Sequence, residues 1–135
     1  MRKLGLDFGD ARIGLAISDP LGLFATGLET YHRKNLEKDI QHIASLIKEK
    51  QVDTVVAGLP LNMDGSEGIR VEKTKEFCEK LQEVCEIKVE YLDERLTTVS
   101  AEKMLIQADV RREDRKKVID KVAATIILQS FLDRK

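Results

Sequence analysis

A chain of 135 residues with 42% hydrophobic content is the size of one domain and carries enough apolar material for a single core. Its formal net charge of -1 gives neither a global positive field nor an acidic tail, so any contact with nucleic acid has to be local. The opening run MRKLGLDFG lacks the apolar core of a secretory signal and no apolar stretch reaches the length of a membrane span, which predicts a cytoplasmic protein without membrane contact.

Residues 3–8 alternate, with Leu4, Leu6 and Phe8 on one side and Gly5 and Asp7 on the other, the period-two signature of a strand. Gly9-Asp10-Ala11 can turn, and residues 12–18 alternate again, with Ile13, Leu15 and Ile17 opposite Gly14, Ala16 and Ser18. One face of this predicted hairpin is nearly bare of side chains. Behind the Asp19-Pro20 turn signal, residues 24–31 read as a third strand, completing a meander.

The period then changes. Leu36, Ile40, Ile43 and Ile47 follow Asn35 at helical spacing, so Asn35 is the expected cap of an amphipathic helix. Val52 to Gly58 is a short apolar run, as in a buried parallel strand. Thr74, Phe77, Cys78, Leu81 and Val84 mark a second helix, and Ile87, Val89 and Tyr91 a further strand that stops at Asp93-Glu94. Thr98 is the expected cap of a helix carrying Ala101, Met104, Leu105 and Ala108; the charged segment 111–117 is expected to be a mobile loop. Val118 to Leu132 reads as a buried helix. The fold class is therefore α/β, a mixed five-stranded sheet of an antiparallel meander plus parallel strands, flanked by helices. Cys78 and Cys85, with no CxxC pair or nearby His, read as buried thiols rather than zinc ligands or a disulfide, and His32 and His42 have no ligand-like spacing.

Three carboxylates stand out. Asp7 interrupts an apolar strand near its end, where Gly5, Gly9, Gly14 and Ala16 leave room for something bulky; a turn cap is the alternative. Asp120 lies in an apolar helix, where burying a carboxylate costs several kcal/mol unless it is paired or binds metal. Ala123 and Ala124 on the same helical face allow close approach to the sheet, which would carry Asp120 toward Asp7. The alternatives are an ion pair with Lys116 or Lys117, or an N-cap. Glu94 stands where the last parallel strand ends, the sheet edge on which α/β sites form, and alternation sends its neighbour Asp93 to the other side. Converging carboxylates repel one another unless a hard cation such as Mg²⁺ or Mn²⁺ sits between them. Such ions activate water and stabilise the oxygens of a phosphodiester, so the expected chemistry is hydrolysis of a nucleic-acid strand.

Two segments bear on substrate. Gly58 to Gly68 follows a strand and precedes a helix; it suits a phosphate-binding loop and a plain connection equally, and it is not a P-loop. Arg111, Arg112, Arg115, Lys116 and Lys117, interrupted by two acids, suit phosphate contacts, with a solvated loop as the alternative. Aromatic content of 4% with no Trp disfavours stacking on splayed bases and favours contact with duplex or branched backbone.

The segments Leu4 to Asp19 (LGLDFGDARIGLAISD), Gly58 to Gly65 (GLPLNMDG), Asp93 to Thr98 (DERLTT) and Ile119 to Gln129 (IDKVAATIILQ) closely resemble the bacterial YqgF family, also called RuvX. The resemblance spans essentially the whole chain. It implies a ribonuclease-H-like fold related to the RuvC resolvases, and a nuclease that either matures the 5′ end of pre-16S ribosomal RNA or resolves Holliday junctions. The family's acids fall on Asp7, Glu94 and Asp120, and Arg12 and Arg95 are matched at positions suited to phosphate contact. Compared with RuvC proteins, the last helix carries Ala123 and Ala124 where a second acid would stand, which leaves one metal ion or two open.

Two other classes compete. Leu-Asp-Phe-Gly before a hairpin also fits the first phosphate loop of an actin-like ATPase or sugar kinase, but those bind nucleotide between two such domains and this length builds one. A non-catalytic nucleic-acid-binding module would not need all three acids. Oligomeric state, monomer or homodimer, is not fixed by scattered apolar surface positions.

Overall fold

The computed structural model describes residues 1–60, 67–93 and 112–134, with side chains of the last segment described from Lys121 onward. The elements follow in the order β1 (Arg2–Phe8), β2 (Arg12–Ser18), β3 (Ala25–His32), α1 (Leu36–Lys50), β4 (Val52–Leu59), α2 (Ile69–Val84), β5 (Lys88–Asp93) and α3 (Arg112–Leu132). The sheet order is β3-β2-β1-β4-β5. Both hairpins of the meander are antiparallel, and β4 and β5 join parallel to β1. The expected mixed five-stranded sheet is therefore what forms.

The alternation of β1 and β2 divides the core in two. Leu4, Leu6, Phe8, Ile13 and Leu15 pack with Ile40, Ile43 and Ile47 of α1 and Phe77, Cys78 and Leu81 of α2. On the other face, Ala16 and Val56 pack with Ala124, Ile127, Leu128 and Leu132 of α3. The bare face of the hairpin exists so that α3 can come close. A Cβ on Gly5 would lie 2.7 Å from the Ala124 carbonyl oxygen and 2.8 Å from the Leu128 Cβ.

Local chemistry sets the boundaries. Asn35 caps α1 through its side chain, which accepts the Lys38 N–H, and the helix ends at Gln51 in the left-handed region with φ 56°. Helix α2 starts at Ile69 behind Gly68, five residues before Thr74, because its first turn carries one apolar contact, the fully buried Val71. It ends at Val84, so Cys85 lies past the helix and is only half-buried, whereas Cys78 is buried with its thiol pushed up to about 12 by desolvation.

The charged segment 111–117 departs from expectation. Residues 112–117 are the first turns of α3, not a loop. Loss of apolar periodicity signals only the loss of a buried face; Arg, Lys and Glu themselves have high helix propensity. The expected helix from Thr98 to Ala108 and residues 61–66 of the Gly58 to Gly68 connection lie outside the described residues.

Between β2 and β3, Asp19 accepts the backbone N–H groups of Leu23 at 2.7 Å and Phe24 at 2.9 Å. From α3, Gln129 donates to the Leu23 carbonyl at 3.0 Å and accepts the Ala25 N–H at 2.8 Å. The loop backbone is thus pinned from two sides while Leu21, Leu23 and Phe24 stay exposed.

Candidate nuclease site

Asp7 is half-buried near the end of β1, paired in register with Gly14. Its neighbours Leu6 and Phe8 enter the α1/α2 core, so alternation puts Asp7 on the face that α3 covers. Arg12 opens β2 on that same face, since Ile13 and Leu15 belong to the other.

The direction of α3 follows from its contacts. Lys121 lies over Gly27 in β3, whereas Gln129 reaches back to Leu23 and Ala25. The helix therefore runs opposite to β3 and to β1, which is parallel to β3. Asp120 stands one turn before Ala124, and Ala124 sits over Gly5. Four helical residues advance about 6 Å, and the two strand residues from Gly5 to Asp7 advance about 6.6 Å in the same direction. The backbone at position 120 is thus delivered to the Asp7 end of the sheet. Because α3 begins at Arg112, position 120 is interior to the helix, which excludes the N-cap alternative.

The parallel strands β1, β4 and β5 finish on one edge. Leu6 is level with Ala57 and Asp93 with Leu59, so β5 ends beside the level of Phe8. Tyr91 packs into the α1/α2 core and Leu92 into the α3 core, so Asp93 belongs to the face away from α3 and from Asp7. Glu94, Arg95 and Arg111 lie outside the described residues, and Arg112, Arg115, Lys116 and Lys117 are placed only as helical positions.

The sequence reading missed Arg33 and Asp39. Asp39, in the first turn of α1, is fully buried, and its carboxylate accepts Arg33 Nε at 2.9 Å and the Lys34 N–H at 3.0 Å. Burial raises its pKa, but those two hydrogen bonds, a third from the Tyr31 hydroxyl and the charge of Arg33 outweigh it and hold the carboxyl below its ordinary value. A signal was present: Asp39 falls four residues before Ile43 on the apolar stripe, where a carboxylate needs a partner. His42 meets Glu29 at 2.7 Å and stacks on Tyr31, which ties α1 to β3.

Over residues 1–134 the chain matches the family model described as RuvX, Holliday junction resolvase. Among curated proteins, one from Desulforamulus reducens named "Putative pre-16S rRNA nuclease" is 53% identical over 133 residues, covering 98% of this chain and 97% of its own. Proteins of the same name from Halothermothrix orenii, 53% identical and covering 98% and 95%, and from Clostridium botulinum, 50% identical and covering 98% and 97%, align equally fully. Among solved structures, the fowlpox virus resolvase in complex with Holliday junction DNA superposes with TM-score 0.64 at 13% identity, over 99% of this chain and 98% of that one. Thermus thermophilus RuvC in complex with a Holliday junction substrate gives 0.63 at 12% identity, over 99% and 96%. At those identities the likeness concerns the fold, which is ribonuclease-H-like. With one family model spanning almost every residue and relatives aligned along nearly their full lengths, the chain belongs to the RuvX family.

Proposed function

We propose that the chain, one domain over residues 1–135, is an endonuclease that hydrolyses phosphodiester bonds in structured nucleic acid, with Asp7, Glu94 and Asp120 holding Mg²⁺ or Mn²⁺. The observation that carries this reading is the seat of α3 on Gly5, whose register brings position 120 to the edge where β1 and β5 end. Placing Asp93 on the far face supports Glu94 as the third acid. Three carboxylates are a hard-oxygen donor set that fits a hard divalent cation. When bound, such an ion supplies activated water and neutralises charge on the phosphate.

The chain's own residues supply the rest. Gly14, paired with Asp7 in register, adds no side chain beside the carboxylate. Arg12 and Arg95 contact phosphates beside the acids. Helical rather than loop geometry sharpens the role of the basic segment: positions 112, 116 and 120 recur every four residues on one side of α3, so Arg112 and Lys116 lead toward Asp120. Arg111, Arg115 and Lys117 add charge to the same end. This local field substitutes for the missing global one.

The names of the curated relatives favour pre-16S ribosomal RNA as the substrate, and the reading adds that the cut falls at its 5′ end in the cytoplasm. The family description favours a second reading, a four-way DNA junction. Both present the same phosphates; shape and the 2′-hydroxyl separate them. Cutting assays on the two substrates, with Mg²⁺, Mn²⁺ or chelator, decide between them. Asp7→Asn is expected to lower cutting by about a hundredfold or more, the scale of removing one group that stabilises transition-state charge. If the purified chain leaves both substrates whole with manganese present, the enzyme reading fails. Junction resolution needs paired cuts, so a strict monomer in solution favours RNA and a homodimer the junction.

A further inference from the structure

The turn that follows Asp7 is held from behind. Gly9 donates to the Arg12 carbonyl at 2.9 Å, closing a hairpin around Asp10 and Ala11. None of residues 9–12 has positive φ, so this is not one of the mirror-image turns whose twist matches the flanking strands unaided. Arg33 supplies outside support. Its Nη1 donates to the carbonyl oxygens of Gly9 at 3.2 Å and Asp10 at 3.3 Å, and its backbone N–H donates to the Ala11 carbonyl at 2.9 Å. The guanidinium also lies over the Phe8 ring, 4.6 Å from its centroid. Four consecutive residues, Phe8 to Ala11, therefore touch one arginine.

We infer that Arg33, anchored by Asp39, is a positioning residue that fixes the Gly9–Ala11 turn and through it the relation of Asp7 to Arg12, which rests on the nuclease reading of that site. Asp7 is the last but one residue of β1 and Arg12 the first of β2, so freedom in the turn is freedom in both. The anchor is stiff because the Asp39 carboxylate is buried and bonded by the Lys34 backbone as well as by Arg33. A guanidinium is needed because its donors have to reach the carboxylate and two carbonyls at once while its plane covers a ring. A lysine ammonium, a single point on a flexible stem, does not span them.

Removing Arg33 alone would leave the Asp39 charge buried and unpaired and risks unfolding. The informative variant is therefore Arg33→Gln with Asp39→Asn, compared with Arg33→Lys and with the unaltered chain. The double variant is expected to keep its circular dichroism spectrum while the Gly9 amide exchanges about tenfold faster, the scale of one net hydrogen bond lost. On the substrate that the unaltered chain cuts, kcat is expected to fall about a hundredfold with little change in KM, as for a misplaced reacting group. Arg33→Lys restores neither. Unchanged Gly9 exchange in the folded double variant overturns the inference, as does faster exchange with unchanged kcat. If the unaltered chain cuts nothing, the nuclease reading has failed and the positioning role falls with it, a result distinguishable because the exchange data still show whether Arg33 orders the turn.

Discussion

Gly5 decides how near α3 comes to the sheet. Its missing Cβ would meet a backbone carbonyl and a packed Leu128, neither of which a rotamer change can move aside. Gly5→Ala is therefore expected to destabilise the fold by about 1–3 kcal/mol, the range for overpacking a filled core. Gly27 provides the control. A Cβ there meets Lys121 Cγ at 2.7 Å and Cδ at 3.0 Å, part of a flexible side chain that can swing away. Gly27→Ala should stay within about 0.5 kcal/mol of the original, as surface substitutions usually do, and urea midpoints on the two variants check the contrast. Gly5 and Asp7 were legible in the sequence because a bare face with one acid is a local pattern. Arg33 was not: its partners are the Asp10 carbonyl, 23 residues away, and a carboxylate six residues on, and nothing local announces a contact to a backbone oxygen.

At the scale of elements, what the sequence showed depended on whether burial or propensity made the structure. Helix α1 was legible at both levels, with Ile40, Ile43 and Ile47 buried and Asn35 at its expected cap. The cap oxygen accepts the Lys38 N–H at 2.9 Å, so Asn35→Ala is expected to cost about 0.5–2 kcal/mol, read from thermal or urea unfolding. Strands β1 and β2 were legible because alternation is strict where one face is core and the other is bare. The start of α3 was not, since helix continues through Arg112 to Lys117 where the apolar repeat stops. Arg112, Arg115, Lys116 and Lys117 thereby fall on the same helix as position 120.

At the scale of the whole molecule, three carboxyls among the described residues, Asp19, Asp39 and Asp53, shift in one direction. Asp39 is held low against its own burial by the Lys34 N–H, Arg33 and Tyr31; Asp53 is lowered first by its hydrogen bond from Lys3; Asp19 is lowered first by the Phe24 N–H. Each binds its proton less readily folded than unfolded. Their stabilisation is thus fully present above the ordinary carboxyl value of 3.8 and is lost as pH falls through the lower folded values. Urea unfolding is expected to show lower stability at pH 3 than at pH 7, with a shallower acid loss in Asp39→Asn. The topology itself was legible, since an alternating hairpin followed by a βαβ pattern leaves few arrangements of a mixed sheet. The approach of position 120 to the Asp7 end was only inferable from it, because the register of α3 is set by packing at Gly5 and Ala124 rather than by any neighbour in sequence.

That packing gives α3 a double duty. Among the described residues it alone roofs one side of the sheet, crossing β1, β2, β3 and β4, and Gln129 near its far end braces the loop at residues 19–24. Lifting the roof would wet Ala16, Val56 and Leu128 and release that loop in the same event.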